Sequence, residues 1–202
     1  DLYRPFKEKK KTRATMAKAK GLEPLAHYLL TYPASGVEAE AEKYINEEIK
    51  SVDEALQGAR DIIAEIIADN ADYRKWIREY MTKKGEIQSK VRDESLDERK
   101  VYEQYYDYSE PISRIVPHRI LAMNRGESEK ILRISILDDA EGVHRYLVKE
   151  VIPVQEVTES TKQVKLAIED AYKRLIKPSI EREIRANLKE VAENQAIHIF
   201  SE

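Results

Sequence analysis

An apolar series that returns about every four residues dominates the last quarter of the chain. Val164, Ile168 and Tyr172 fall four apart, followed by Leu175 and Ile176. Beyond Pro178 the series resumes as Ile180, Ile184, Leu188, Val191 and Ile199. That is the spacing of one stripe on an α-helix. Oppositely charged residues four apart, Glu169 with Lys173, Asp170 with Arg174 and Glu181 with Arg185, support the same period. Ser160 with Gln163 reads as the capping box that opens it. Unbroken from Thr158 to Phe200, such a helix would be roughly 60 Å long at 1.5 Å per residue, a spine on which neighbours pack. Pro178 has no N–H to donate and crowds the preceding turn, which predicts a kink there or two abutting helices.

The first half of the chain reads as short helices joined by tight connections. The stretch from Thr12 becomes helical and Gly21 ends it. Pro24 opens the next helix, with Leu25, Tyr28 and Leu29 on its inner face. Ser35 with Glu38 and Ser51 with Glu54 read as further capping boxes, the second leading into Leu56, Ala59, Ile63, Ile66 and Ile67. A break near Asp69–Ala71 precedes a helix bearing Tyr73, Trp76, Ile77 and Tyr80, which Gly85 stops. Ile87, Ser89 and Val91 then alternate with polar residues, as does the stretch Lys130 to Leu137. This predicts a small two-stranded antiparallel ribbon. Between the strands, Ser95 with Glu98 is expected to cap a helix holding Val101, Tyr102, Tyr105 and Tyr106. A second short helix is expected from Pro117 to Asn124, closed by Gly126. Asp138 with Glu141 should cap a third, with Tyr146–Ile152 read as helix over strand.

Composition narrows the chemistry. The 202 residues are 36% charged, with six glycines and no cysteine. Disulfides and thiolate catalysis are thereby excluded, and a helix-rich fold is favoured. No apolar run approaches the roughly 18 residues of a membrane span. The first residue is Asp1, so the chain is expected to be a piece of something longer. His27, His118, His144 and His198 show no paired metal spacing, and no phosphate-binding glycine loop or nucleophile elbow occurs. No enzyme, metal or cofactor is therefore expected. The cluster Tyr102, Tyr105, Tyr106 and Tyr108 could stack bases, but the acids around it favour packing against the core.

Charge is distributed unevenly. Residues 1–20 carry eight Lys or Arg against two acids, whereas residues 21–72 carry three bases against twelve acids. Lys9, Lys10, Lys11 and Arg13 are the candidate nucleic-acid contacts. They would either hold phosphate or be neutralised by the acidic block at Glu38–Asp72, and internal or solvated use is the favoured reading of the two.

Five blocks of sequence carry a resemblance to the bacterial transcription accessory protein Tex family. They are DLYRPFK at 1–7 with TRAT at 12–15 and KGLEPLA at 20–26; GARDIIAE at 58–65; YYDYSEPI at 105–112; PHRILAMNRGE at 117–127; and AYKRLIKPSIEREIR at 171–185. The resemblance covers essentially the whole chain. It implies a helical scaffold, related to a eukaryotic transcription elongation factor. It also implies that RNase-H-like, helix-hairpin-helix and OB-fold RNA-binding domains follow, none of which lies in these residues.

The expected fold is mainly α, a multi-helix scaffold with a two-stranded antiparallel ribbon and a long C-terminal helix kinked near Pro178. Residues 1–84 form a basic arm plus a short-helix bundle, 85–157 a mixed central region and 158–202 the spine. The expected role is to position the downstream domains of a cytoplasmic transcription protein. Nucleic acid, met mainly through those domains, and RNA polymerase are the expected partners. The alternative is a direct DNA- or RNA-binding module built on helix-turn-helix-like elements and the basic arm.

Overall fold

The computed structural model describes the backbone of residues 11–201 and the side chains of residues 11–197. Lys9 and Lys10 of the candidate contacts, and Ile199 of the apolar series, lie outside the described side chains. The fold is mainly helical, with a small antiparallel sheet and a long C-terminal helix. The chain divides into two compact units, each assembled from two stretches: Asp1–Asn70 with His144–Leu175, and Ala71–Val143 with Ile176–Glu202.

In the first unit, helix α4 (Val52–Ala68) is the centre, packed by α1 (Arg13–Ala19), α2 (Glu23–Leu29), α3 (Val37–Glu42) and α8 (Glu159–Asp170). It buries Leu56, Ile62, Ile63 and Ile67, with Ala55, Ala59 and Gly58 between them. Small residues on its faces let the neighbours come close. A Cβ on Gly58 would collide with Leu22 Cδ1, so the glycine is where α1 and its following turn lie against α4. Gly21, at φ +81°, ends α1 in a Schellman motif. The Leu22 N–H bonds the Ala17 carbonyl at 3.2 Å and the Gly21 N–H bonds that of Lys18 at 3.0 Å. Leu22 is then turned inward and buried.

Two of the expected caps differ from those observed in this unit. Ser51 does cap α4, accepting from the Glu54 N–H at 3.1 Å. Helix α3 instead starts at Gly36, at φ +84°, without a side-chain cap, so Ser35 and Glu38 form no box. Helix α8 is opened by Thr158 with Thr161 rather than Ser160 with Gln163. Gln163 instead accepts a hydrogen bond from Arg60 of α4. Tyr32 closes the unit by donating its hydroxyl to the carbonyl of Val151, the last residue of α7 (Ala140–Val151), at 2.8 Å. Tyr146–Val151 is thus helical.

The second unit holds α5 (Ala71–Lys84), α6 (Pro117–Ser128), α9 (Lys177–Ser201) and the sheet. The sheet has three strands where two are expected: β1 (Glu86–Val91) lies between β2 (Asp107–Pro111) and β3 (Leu132–Leu137), both antiparallel to it. Strand β2 carries two acids and a proline and no β-branched residue. It is an edge strand whose Pro111 needs no ladder donor.

The helix expected through Val101–Tyr106 does not form. The Asp97 carboxylate takes the Val101 and Tyr102 N–H groups at 2.9 Å each, diverting donors that a helix would direct to its own carbonyls. Two 3₁₀ turns result, Glu94–Leu96 and Glu103–Tyr105. The first is capped by Asp93, not by Ser95 with Glu98. Gly126 likewise does not close α6 but lies within it. A Cβ there would stand 2.5 Å from Leu132 Cδ1 and 3.1 Å from Tyr102 Cδ1, so its role is close approach. At the start of α7 the capping carboxylate is Asp139, which accepts from the Gly142 N–H at 3.1 Å, one residue beyond the expected Asp138.

The spine is realised as α8, a π-helical stretch over Ala171–Ile176 and α9. The disturbance expected at Pro178 thus takes the form of wider helical turns just before it. Pro178 cannot donate to the Arg174 carbonyl, and a π-helical stretch is one way for a helix to absorb a bond it cannot make. Among the described side chains of α9 the buried ones are Ile180, Ile184 and Ala192, with Leu188 half-buried and Val191 exposed. The helix packs on α6 and α5.

Candidate nucleic-acid interface

The N-terminus of α1 is built by Thr12 and Thr15, each bonding the other's backbone N–H, at 3.1 Å and 2.8 Å. The Thr12 hydroxyl also donates to Glu65 Oε2 of α4 at 3.0 Å. Lys11 and Arg13 flank this cap and are exposed, and neither forms an ion pair with a described residue. Arg13 and Lys20 line one wall of an open cleft of about 460 Å³ whose other residues include Glu48, Glu54 and Asp61. Arg13 and Lys20 therefore share an open cleft with carboxylates of the acidic block. This is the setting both for phosphate binding and for internal neutralisation.

Several other cations are already matched. Arg119 makes a two-pronged pair with the buried Glu110 at 2.9 Å and 3.0 Å, and Tyr108 adds its hydroxyl to the same carboxylate at 2.8 Å. The bond to Glu110 raises the Arg119 pKa against the effect of burial. Arg185 of α9 clamps α6 through Glu127, at 2.7 Å and 2.8 Å, and through Asn124 at 2.9 Å. This bond replaces the expected pairing with Glu181, which lies 3.8 Å from Lys177 instead. Arg78 bonds Glu183 at 2.7 Å, and that bond draws the Glu183 pKa down despite burial. Asp170 holds Arg174 by a fork at 2.7–3.2 Å, as the four-residue spacing predicts.

The tyrosine cluster is spent on the core. Tyr102 and Tyr105 are buried, Tyr105 stands edge-on to Tyr108 at 5.6 Å, and the Tyr106 hydroxyl bonds Asp97 at 2.7 Å. Among the described residues, no group of three or more His, Cys, Asp or Glu side chains is placed to hold a metal ion. None of the described helices is long and apolar enough to cross a membrane.

One polar surface is not evident from sequence alone. Along β1, Ile87 and Ser89 are buried, while Gln88 and Lys90 lie on the opposite face. The strand register places Gln88 between Ser109 and Ser135, and Lys90 between Asp107 and Arg133. Alternation shows which residues face outward, but only the pairing shows that Lys90 and Arg133 meet.

The chain matches the family model described as Tex central region-like over residues 32–200. It is 52% identical, over its whole length, to the uncharacterized protein YdcI of Bacillus subtilis, of which it covers 28%. It is 33% identical, again over its whole length, to the transcriptional accessory protein Tex of Neisseria gonorrhoeae, covering 27% of that protein. It is also 32% identical over 97% of its length to the human S1 RNA-binding domain-containing protein 1, covering 21% of it. The chain thus spans less than a third of each of these relatives.

Proposed function

This chain belongs to the Tex family, matching its central region, and from that premise we propose that it is the helical scaffold of a cytoplasmic transcription accessory protein. It holds downstream nucleic-acid-binding domains in position, offers a surface to RNA polymerase and carries out no catalysis itself. The observation that carries this reading is where the polar residues of the Tex-like blocks go. Arg60 is bonded to Gln163, Glu110 to Arg119, Glu127 to Arg185, and Glu183 to Arg78. Groups that are used up in cross-links between elements of the fold hold a shape. They are not left over for substrate.

The test uses the longer protein that carries this chain, with one spin label in α6 and one in the first downstream domain. A narrow distance distribution is expected, and it should broaden when Ile180→Ala loosens the packing of α9. A distribution already broad in the unaltered protein overturns the scaffold reading.

A second reading rests on the exposure of Lys11 and Arg13 and on their lack of an ion pair with a described residue. It has the arm contact phosphate directly, with α1, the Gly21 turn and α2 as a helix-turn-helix-like element. Four duplex contacts by Lys9, Lys10, Lys11 and Arg13 give a log–log salt slope of about −3.6. Base preference should be slight, since lysines on phosphate read no base edges. Changing all four to Glu should abolish that slope in a gel-shift salt series. Binding with the slope unchanged overturns the contribution of the arm.

A further inference from the structure

The outer face of the sheet has a feature that its fold does not need. Lys90 and Arg133 are direct cross-strand partners, and like charges in that position destabilise a sheet. Asp107, on the other side, forms an ion pair with Lys90. No described residue pairs with Arg133. Arg92 follows at the end of β1, exposed, its N–H bonded to the Ile131 carbonyl at 2.7 Å. Three cations thus gather at one end of the sheet, where two of them repel each other unless something negative lies between them.

The neighbouring row is neutral and rich in donors: Ser109, Gln88 and Ser135 in register. Same-face residues along a strand stand about 6.8 Å apart and strands about 4.8 Å apart, so the face is roughly 10 Å wide. That width suits one strand of nucleic acid. The outward residues of the three strands include no aromatic ring, so no base can stack here as on other single-strand platforms. What remains is the recognition of phosphate and sugar by cations, hydroxyls and an amide. Glu86, at the far end of β1, would repel phosphate there, and at the other end Asp107 is neutralised by Lys90, which leaves contact to centre on Arg133 and Arg92.

We propose that the open sheet face around Lys90, Arg92 and Arg133, backed by Ser109, Gln88 and Ser135, is a sequence-independent contact site for the phosphodiester backbone of a single-stranded nucleic acid. The site rests on the chain meeting nucleic acid itself, and it is separate from the basic arm.

The experiment measures fluorescence anisotropy of a labelled single-stranded RNA oligonucleotide of mixed sequence with the whole 202-residue chain, across a salt series. Arg92 and Arg133, the two cations here with no ion pair to a described residue, give a log–log slope of about −1.4 when both contact a single strand. Arg133→Glu should weaken binding about tenfold or more at low salt and flatten the slope by about 0.7. It should leave the thermal midpoint unchanged or raised, because an opposed pair replaces a like-charged one. The four-residue arm variant with Glu at 9, 10, 11 and 13 is run beside it. RNA binding that survives the arm change and falls with Arg133→Glu supports the sheet site. Binding lost with the arm change but untouched in a folded Arg133→Glu variant overturns the sheet site and keeps the arm. A chain that binds no oligonucleotide at low salt overturns both, and leaves the scaffold reading standing.

Discussion

Shortening Ile180 to alanine is expected to cost about 2–5 kcal/mol, the range for removing a buried aliphatic side chain. In a chain of this length that corresponds to a fall of roughly 5–15 °C in unfolding temperature. Ile180 is 0% exposed and Ile184, one turn on, is 4% exposed, both on α9, which packs on α6 and α5. Ile184→Ala should fall in the same range, and Leu188→Ala, at a half-buried position, should cost less. Val191 is 45% exposed, and Val191→Ala should change stability by no more than about 0.5 kcal/mol. Urea or thermal unfolding of the four variants checks the order. Equal and negligible effects at Ile180 and Ile184 would mean that α9 does not carry the core.

The contrast between Ile184 and Val191 shows what the sequence reveals about this fold. The period of the spine is legible because buried residues on a helix must recur with its turn. The register at its end is not. Counting by fours from Ile184 leads through Leu188 to Ala192, which is buried. A reading that favours bulk picks Val191 instead, a residue that helix geometry turns outward. Gly126 is the same error in another form. Glycine weakens a helix and so reads as a stop, but this one is retained because Leu132 and Tyr102 leave no room for a Cβ.

Long-range pairing is where local reading fails. Strand β2 has no strand-like composition and is defined by its register with β1. The buried Glu110 in it is tolerable only because Arg119, nine residues on, supplies the charge. The expected neighbour of Arg185, Glu181, is the helical one, yet the guanidinium reaches Glu127 on another helix. On the functional side, the exposure of Lys11 and Arg13 follows directly from a cationic stretch with no apolar stripe. The meeting of Lys90 with Arg133 does not, since 43 residues separate them in the chain.

Asp97 should prove the residue on which the loop between β1 and β2 depends most. It is 5% exposed and accepts three hydrogen bonds, from the Val101 and Tyr102 N–H groups and the Tyr106 hydroxyl. Burial alone would raise its pKa, but the bonds from Tyr106, Tyr102 and Val101 and the charge of Lys100 together draw it below the ordinary value of 3.8. A carboxyl with a depressed folded pKa contributes stability above its unfolded pKa, and that contribution is lost as pH falls through the folded value. The loss therefore comes below about pH 3.8. Tyr106 gives the opposite limb. Burial and the bond to Asp97 raise its pKa to about 12, so its contribution is full below 10 and disappears as pH rises through 12. Asp97→Ala should leave the buried Tyr102 N–H, with the Val101 N–H and the Tyr106 hydroxyl, without its acceptor and lower the unfolding temperature by roughly 5–10 °C. Asp97→Asn keeps one acceptor and should cost less. It should also return the Tyr106 titration toward 10, visible as a downward shift in tyrosinate absorbance, with Tyr106→Phe as the control that removes the signal. An Asp97→Asn variant with the wild-type alkaline titration would show that the carboxylate does not hold Tyr106, and that the loop is kept in place by the packing of Tyr102 and Tyr105 alone.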